Sequence, residues 1–416
     1  MDIKKIIVVG AGPAGMMAAI RAGELKQDVT LIEKNSSLGK KLLLSGKGRC
    51  NLTNACDLDL FLERFSDNKG QFLRDAFRKF FNNDLMRFFE NRGLRLKIER
   101  QLRVFPVSNK SGSTLEVLKK DLEKNKVKVC LKAALKEIFF KEKQLKAVLL
   151  SNGETISADR VILATGGVSY AFTGSNGEGL FLAKRLGHQI IFLRPGLVPL
   201  ETRQSYVRLL KGLTLRNIRL TFSDGEKELV SPVGELLFTH FGISGPLVLS
   251  FSGKVADWLS EKKVVTLRID LKPALSLEVL NQRLIREFKA NPKKSASRVL
   301  KNLLPKSLVE VFLDILKINP KKQANQINQE ERKRTAGLLK SLPLTVTQTR
   351  PIEEAMITRG GVSLKEINPR TMESRLYKGL YFAGEMIDVD ADTGGFNLQA
   401  AFSTGYLAGE SAATTA

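Results

Sequence analysis

The sequence predicts an α/β protein in which a Rossmann-like domain is assembled from both ends of the chain. Three segments support this class. A strand–turn–helix–strand pattern occupies residues 5–34, a buried strand ending in glycines occupies 160–167, and a strand, a glycine-rich turn and a helix occupy 379–409. The region between the last two segments has a different character. The sequence therefore predicts one domain built from the two ends and an insertion in the middle.

The first element, 5-KIIVVGAGPAGMMAAIRAG-23, contains Gly10-x-Gly12-x-x-Gly15 directly after a strand and at the start of a helix. Gly10 permits the tight turn, Gly12 lets a pyrophosphate approach the backbone, and Gly15 lets the helix pack closely on the strand. Glu33 ends the second strand, 28-DVTLIEK-34, where a carboxylate would accept both ribose hydroxyls and repel a 2′-phosphate. The sequence predicts a dinucleotide site here.

The next segment, 42-LLLSGKGRCNLTN-54, is compatible with a phosphate loop, a reactive thiol site, a metal half-site or a plain turn. It lacks the GxxxxGK[ST] spacing of a P-loop. Cys50 and Cys56 are six residues apart, unlike the CxxC of disulfide oxidoreductases. His188 and His240, with the three cysteines of the chain, form no zinc-ligand spacing. A metal site and a catalytic thiol are therefore the disfavoured readings, and no metal is expected.

The remaining elements follow in order. Residues 72–92 carry phenylalanines at helical spacing and predict a core-facing helix rather than an aromatic nucleic-acid platform. A helix at 112–125 and strands at 127–131 and 145–150 come next. From about residue 190 the pattern alternates like antiparallel strands, at 214–224, 226–240 and 263–271, and 276–335 has helical periodicity broken by prolines.

Composition limits the functional class. The chain has 416 residues with a formal net charge of +24, and residues 262–340 carry 19 Lys and Arg against 7 Asp and Glu. A solvated basic surface is the simpler interpretation, but a polyanion would dock in this segment if one binds. The apolar runs are far shorter than a membrane span, and the N-terminus does not resemble a signal peptide. Three cysteines in so long a chain suggest a reducing cytoplasm, so a cytoplasmic protein without a membrane partner is expected.

Five ordered motifs carry a resemblance to a known family: 45-SGKGRCNLTN-54, 234-GELLFTHFGISGP-246, 358-TRGGV-362, 371-TMES-374 and the glycine-rich segment 379–409. In these the chain resembles the aminoacetone-oxidase-like family of bacterial FAD-binding proteins, which includes NAD(P)/FAD-dependent oxidoreductases and bile-acid-pathway reductases. The order of elements is also similar to that of glutathione reductase and succinate dehydrogenase flavoproteins. The resemblance implies FAD as the cofactor.

The same resemblance implies three domains. An FAD-binding Rossmann-like domain with a three-layer ββα architecture would comprise residues 1–190 and 350–416. A β-barrel-like domain would comprise 191–275 and 336–349, and a small helical domain would comprise 276–335. In this fold the strand that ends in ATG, here at residues 164–166, crosses beside the dinucleotide. A glycine followed by an acidic residue near the C-terminus then hydrogen-bonds the ribityl chain. In this sequence the acidic residue is Glu385 instead of the usual Asp, so its carboxylate extends one methylene further from the backbone.

Carried over residue by residue, the resemblance implies that 45–51 follows the pyrophosphate and isoalloxazine, with Arg49 neutralising phosphate charge and Cys50 packed close to the ring. A capped loop with Arg49 in solvent is the alternative. The helix after Gly394 and Gly395 would aim its N-terminus at flavin N1 and the C2 carbonyl. The implied cofactor-binding residues are Gly10, Gly12, Gly15, Glu33, Lys34, Lys41, Ser45, Gly46, Gly48, Arg49, Cys50, Asn51, Leu135, Thr165, Gly166, Gly384, Glu385, Asp388, Phe396, Asn397 and Leu398.

Two residues are candidates for catalysis. His240 lies in a family motif and would exchange a proton beside hydride transfer at N5, although a structural histidine fits equally well. Arg359, next to Gly360 and Gly361, would hold an anionic substrate, again with a structural alternative. His188 is interpreted as packing at a helix end.

The sequence thus predicts an FAD-dependent oxidoreductase that moves a hydride between flavin N5 and a small organic substrate of amine, ketone or enone type. A second GxGxxG in a βαβ context is absent, so O2 or transiently bound NAD(P)H is the expected redox partner. Two alternatives stay open: a flavin-dependent RNA-modifying enzyme, for which the basic segment 262–340 is the motive, and a non-catalytic flavin-binding redox sensor.

Overall fold

A computed structural model describes residues 2–415, which divide into two compact units. The first comprises the described residues up to Gly196 and those from Ile352 onward, and the second comprises Leu197–Pro351. The second unit is thus one continuous segment between the two parts of the first. Strand β11 belongs to the first unit, because it pairs with β19 of the C-terminal segment (ranges below).

The strands, in chain order, are β1 (Lys5–Val9), β2 (Asp28–Glu33), β3 (Thr53–Asn54), β4 (Leu96–Glu99), β5 (Arg103–Pro106), β6 (Lys128–Leu131), β7 (Leu135–Lys141), β8 (Gln144–Leu150), β9 (Thr155–Ser157), β10 (Arg160–Leu163), β11 (Ile190–Gly196), β12 (Leu200–Thr202), β13 (Thr214–Ser223), β14 (Glu228–Val230), β15 (Gly234–Phe238), β16 (Gly242–Ser244), β17 (Val265–Asp270), β18 (Leu342–Thr349), β19 (Ile357–Val362) and β20 (Leu380–Phe382).

The helices are α1 (Pro13–Glu24), α2 (Lys40–Leu44), α3 (Leu58–Leu62), α4 (Arg74–Lys79), α5 (Asn82–Glu90), α6 (Ser111–Lys124), α7 (Glu178–Arg185), α8 (Pro246–Ser260), α9 (Leu277–Ala290), α10 (Ala296–Leu300), α11 (Lys306–Leu316), α12 (Gln329–Lys340) and α13 (Phe396–Thr414). No helix within residues 2–415 is both long and apolar enough to cross a membrane.

The first unit is built on a parallel sheet in the order β20–β10–β1–β2–β6. Strands β1, β10 and β20 are almost wholly apolar and buried, as expected for parallel strands covered on both faces. The antiparallel meander β7–β8–β9 contributes Ile138, Val148 and Leu150 to the same apolar core as the sheet and helices α1 and α13. The Rossmann-like class with its layered arrangement is confirmed.

The second unit contains a closed antiparallel barrel. The strands follow the order β13–β15–β16–β12–β18–β17, and β17 pairs again with β13 through Arg219–Ser223 and Thr266–Asp270, which closes the ring. Inward-facing residues such as Leu220, Phe222 and Leu267 are fully buried. Helices α9–α12 share this core, with Leu284 and Phe312 fully buried in it. The predicted β-barrel-like and helical parts are therefore both present.

Two local predictions were wrong. The helix expected over residues 72–92 is broken between α4 and α5, because Phe80 is extended and the Asp84 carboxylate accepts a 2.9 Å hydrogen bond from Phe81 N, which begins a new helix. The strand expected at 226–240 is two strands, β14 and β15, separated at Ser231–Val233. Helix α8 was missed, although Pro246 at its first turn is a start signal.

Candidate functional site

The glycine-rich turn between β1 and α1 is close-packed on one side and open on the other. Gly10 has φ +100, and a Cβ there would lie 2.5 Å from Ala164 O; a Cβ on Gly15 would lie 1.8 Å from Gly10 O. Nothing lies within 4 Å of a Cβ built on Gly12, which is also the N-cap of α1 and receives no side-chain cap. The open N-terminus of α1 therefore offers free backbone N–H groups to an anion, as the sequence predicts.

Glu33 is fixed beside this turn at the end of β2. Its carboxylate accepts hydrogen bonds from Ala11 N at 2.9 Å and from Asn35 N at 2.8 Å, and the residue is 8% exposed. The backbone carbonyl of Glu33 accepts from Ala133 N, which brings the start of β7 at Leu135 into the same neighbourhood. This places a buried carboxylate beside the open N-terminus of α1, while Lys34 Nζ donates to Asn176 Oδ1 and Glu178 Oε2.

The end of β10 crosses the glycine-rich turn. A Cβ on Gly10 would lie 3.0 Å from the Cα of Thr165. Gly166 adopts φ +76, and a Cβ added to it would lie 3.0 Å from Ser175 Oγ. The Thr165 hydroxyl donates to the sulfur of Met386 just after β20 at 3.1 Å. The strand ends of β1, β10 and β20 therefore meet at one edge of the sheet, the place where open α/β sheets bind ligands.

At this edge Glu385 and Lys41 form an ion pair. Lys41 Nζ lies 2.6 Å from Glu385 Oε2 and 2.7 Å from Ser169 Oγ. Glu385 Oε1 accepts from Ser169 Oγ at 2.9 Å and from Thr358 N at 2.7 Å. Gly384, at φ +72, lets this turn pass close to Ala14 of α1. The structure thus unites two predicted residues, 344 positions apart, with Ser169 and Thr358, which the sequence analysis missed.

The loop 45–51 has an unusual backbone. Gly46, Lys47, Gly48 and Cys50 all have φ between 57 and 81, and Cys50 N donates to Ser45 O at 3.0 Å. A Cβ on Gly48 would meet nothing within 4 Å. The side chain of Cys50 is fully buried, and burial raises the pKa of its thiol to about 11. A neutral thiol of this kind is a poor nucleophile.

Two side chains of the same loop differ in what they offer a ligand. The Oδ1 atom of Asn51 is buried and has no hydrogen-bond partner among residues 2–415, so it can accept from a donor of a bound ligand. The guanidinium of Arg49 is engaged elsewhere. It pairs with Glu99, whose pKa it holds below the usual value. It also donates to Asn109 Oδ1 at 2.8 Å and lies 4.1 Å from the centre of the Phe105 ring. Its predicted phosphate contact would require a different rotamer.

The turn before α13 is shaped by its side chains. Gly395 has φ +100, and a Cβ there would lie 2.4 Å from Thr53 O. Asn397 clamps the turn, since its Oδ1 accepts from Ala391 N at 3.0 Å and its Nδ2 donates to Ala391 O at 2.8 Å. Phe396 is buried with its ring centre 4.7 Å from that of Phe61, and Leu398 packs against the core. The side chains of these predicted residues therefore hold the turn, and the N-terminus of α13, which has no side-chain cap, is left for a ligand.

A buried network of charges lies next to this turn. Lys69 Nζ is 2.7 Å from Asp388 Oδ1, and Arg359 Nε is 3.3 Å from Asp390 Oδ2, which also accepts from Ser66 Oγ at 2.6 Å. Burial raises the pKa of Asp388. Arg359 is 3% exposed, so in this arrangement its guanidinium serves the network. Removing one partner of such a pair leaves a buried charge uncompensated, which is strongly destabilising.

The two histidines have different surroundings. His240 lies in the second unit, between β15 and β16, where it is exposed with its ring centre 4.9 Å from that of Phe241. His188 is buried, contacts Ser374 Oγ at 2.8 Å through Nε2, and has a pKa lowered by burial, in line with the packing role expected for it. Within residues 2–415 no group of three or more His, Cys, Asp or Glu is arranged to hold a metal.

Sequence reasoning missed Ser169, Thr358, Lys69 and Asp390. The signal for Ser169 was its place two residues beyond Gly167, at the end of 160-RVILATGG-167. The signal for Asp390 was the acid-rich segment 388-DVDAD-392. Together the described residues form a cradle for a dinucleotide: an open helix N-terminus, an acid for the ribose, an orphaned acceptor at Asn51 and a second open helix N-terminus at α13. These features fit FAD.

Comparison with known proteins supports the same conclusion. A profile described as the HI0933-like protein Rossmann domain matches residues 4–411. The chain is 31% identical over 414 residues to a 3-dehydro-bile acid delta(4,6)-reductase of Clostridium scindens, covering 99% of both chains. It is 30% identical over 404 residues to a ribosomal RNA dihydrouridine synthase of Haemophilus influenzae, covering 96% of both, and 30% identical over 406 residues to the enzyme of that name from Escherichia coli, again covering 96% of both.

Solved structures with low sequence identity share the fold. A 3-ketosteroid delta1-dehydrogenase of Sterolibacterium denitrificans has a TM-score of 0.53 at 13% identity, with 100% of both chains covered. A quinol-fumarate reductase has a TM-score of 0.51 at 16% identity, with 99% of this chain and 71% of the other covered.

Proposed function

The chain belongs to the HI0933-like Rossmann-domain family, and from this premise we propose that it reduces a carbon–carbon double bond conjugated to a carbonyl group. It is an FAD-dependent oxidoreductase. The observation that carries the proposal is the nature of its relatives. A delta(4,6)-reductase of a 3-dehydro-bile acid and a dihydrouridine synthase both saturate such a bond, and both match almost the whole chain at 30–31% identity.

FAD, when bound, supplies hydride transfer at N5. We propose that the open N-termini of α1 and α13, with Glu33, hold its two ends. Small residues at 45–51 admit the ring against the backbone, and Asn51 Oδ1 accepts one of its donors. The Lys41–Glu385 pair, fixed by Ser169 and Thr358, positions the ribityl side. The network of Lys69, Asp388, Asp390 and Arg359 keeps the turn before α13 rigid.

Saturation of an enone also needs a proton at the carbon next to the carbonyl. We propose His240 for this role, because imidazole exchanges protons near neutral pH and the side chain is exposed. Arg359 is proposed to contribute indirectly to substrate binding. Its ion pair with Asp390 would hold the turn before α13 in place. NAD(P)H is the proposed electron donor, bound transiently. A cytoplasmic location is proposed on the three free cysteines, which suit a reducing compartment.

Anaerobic stopped-flow measurements test the proposal in two half-reactions. We expect NADH or NADPH to bleach the flavin absorbance of the holoenzyme. We then expect cyclohexenone or a 4-en-3-one steroid to restore that absorbance at least ~10-fold faster than the matched saturated ketone. Reoxidation by O2 alone, with no difference between enone and saturated ketone, would refute the proposal.

A second candidate substrate is a uracil base within RNA. Two observations favour it: the relatives named as ribosomal RNA dihydrouridine synthases match 96% of the chain, and the net charge is +24. Uracil also presents a double bond conjugated to a carbonyl, so the same chemistry applies. Treating deproteinised ribosomal RNA with holoenzyme and NADPH, followed by mass spectrometry of nucleosides, should then reveal newly formed dihydrouridine; none would appear if the substrate is only a small molecule.

A further inference from the structure

The helical part of the second unit contains two stretches without any acidic residue. Residues 288–309 hold six Lys or Arg and no Asp or Glu, and residues 315–329 hold three Lys and no Asp or Glu. These stretches account for nine positive charges in one small region. Such a one-sided distribution is the electrostatic footprint of a polyanion-binding surface.

The fold brings the two stretches side by side. Residues 292–298 and 319–325 run antiparallel, joined by hydrogen bonds from Ala296 N to Lys322 O at 2.8 Å and from Ala324 N to Lys294 O at 2.9 Å, with a bridge between Ser295 and Gln323. We call this pair of segments the basic ribbon. Lys293, Lys294 and Lys321 extend from it and are all exposed.

Four of the five positive charges of the basic ribbon are not neutralised by the described residues. Lys293, Lys294, Arg298 and Lys321 form no ion pair with any residue in 2–415, whereas Lys322 is bound by Glu331 at 2.7 Å. Exposed amides of Gln323, Asn325 and Gln326 follow Lys321 and Lys322 along the second segment. The described part of 288–329 exposes no large apolar side chain. A membrane-binding surface normally adds apolar residues to its charge, so these features favour a hydrogen-bonding polyanion.

We propose that the basic ribbon docks a structured RNA, with Lys293, Lys294 and Lys321 contacting phosphates and the neighbouring amides contacting sugar or base edges. The proposal rests on the second candidate function above for the choice of RNA. It requires no contact between the ribbon and the dinucleotide cradle, and therefore it can hold or fail separately from the redox reaction.

The test is fluorescence anisotropy of a labelled ribosomal RNA hairpin with full-length FAD holoprotein between 50 and 300 mM salt (about the range over which phosphate contacts are lost). The variant is Lys293→Glu/Lys294→Glu/Lys321→Glu. The matched control is Lys211→Glu/Lys227→Glu/Lys262→Glu, which removes three exposed lysines of the same unit outside the ribbon and changes the net charge equally. Circular dichroism spectra and thermal unfolding curves that match those of wild type show that both variants are folded.

We expect the ribbon variant to weaken RNA binding by ~10–100-fold and to lower the salt slope by about 2–3, and the control to change affinity by less than ~3-fold. The proposal is overturned if wild type does not bind at 50 mM salt (roughly the condition that favours phosphate contacts most), if both triple variants weaken binding equally, or if a DNA duplex or phosphatidylserine vesicles bind as tightly as the RNA. Unchanged flavin reduction by NADPH in the ribbon variant, alongside lost RNA binding, separates docking from redox chemistry.

Discussion

Among single residues, Glu33 has the clearest proposed role in cofactor binding, because it is a buried carboxylate beside the uncapped N-terminus of α1. Replacing Glu33 by Ala removes the acceptor proposed for the ribose hydroxyls. We expect the Kd for FAD to rise by ~30–100-fold, since charge-assisted hydrogen bonds are roughly twice as strong as neutral ones. Titration of apoprotein with FAD, followed by flavin fluorescence, measures the change.

Cys50→Ala is the control for Glu33→Ala. The Cys50 thiol is neutral and close-packed, so its removal should alter the Kd for FAD by less than ~3-fold and leave turnover intact. Glu33→Gln, which keeps one acceptor, should fall between the two. An effect of Cys50→Ala as large as that of Glu33→Ala would contradict both assignments.

A site residue is easier to predict from the sequence when the residues that explain its role are close to it in the chain. Gly10 and Gly15 were predictable because the backbone of one turn requires them, and Gly12 was predictable because a pyrophosphate needs open space at that point of the turn. The partners of Arg49 were not, since Glu99 and Asn109 lie 50 and 60 residues away and only the packing of β4 and β5 brings them close. The Lys69–Asp388 pair, 319 residues apart, was hidden for the same reason.

At the scale of elements, the contact between α1 and α13 depends on small residues. A Cβ on Gly405 would lie 2.2 Å from Ala14 O, and one on Gly409 would lie 2.3 Å from Ala18 O. Both conflicts are with backbone atoms, which cannot rotate away. The two helices therefore approach more closely than side chains on α13 would permit, and this fixes the N-terminus of α1 relative to the parallel sheet.

Gly405→Ala should therefore lower the free energy of unfolding of the first unit by about 1–3 kcal/mol, the usual cost of overpacking. The matched control is Gly112→Ala in α6, where an added Cβ meets nothing within 4 Å and the higher helix propensity should stabilise by up to ~1 kcal/mol. Thermal unfolding of the holoprotein, monitored by circular dichroism and flavin release, compares them. Equal melting temperatures for the two variants would refute the close-contact argument.

Elements were predictable where their periodicity was uninterrupted. Strands β1 and β10 were recognised as apolar runs followed by glycines, and β2 as a short β-rich run after the first helix. The break at Phe80 was not, because α4 and α5 both carry phenylalanines at helical spacing and only the Asp84 cap reveals a new start. Closure of the barrel was likewise not predictable from the sequence. The alternation of apolar and polar residues shows that β13 and β17 are strands, but it does not show that they pair.

At the scale of the whole molecule, the second unit is an uninterrupted segment whose two ends meet. Arg350 N donates to Pro199 O at 3.0 Å, and each unit has its own apolar core. Segments of this kind can be excised, because domains with neighbouring ends tolerate insertion and removal. All residues of the proposed FAD cradle lie in the first unit, whereas His240 lies in the second.

The last prediction follows from this arrangement. A protein in which Gly196 is joined to Ile352 by a short Gly–Ser linker should fold and bind FAD within ~10-fold of the intact chain's affinity. It should not reduce an enone, because it lacks His240. The isolated segment 197–351 should fold without binding FAD, as shown by circular dichroism and gel filtration.

The control is the joined protein, with Gly196 linked to Ile352, that also carries Glu33→Ala; this protein should be colourless. If the unmutated joined protein is folded yet colourless, the second unit is needed for the cofactor, and the assignment of the whole cradle to the first unit is wrong.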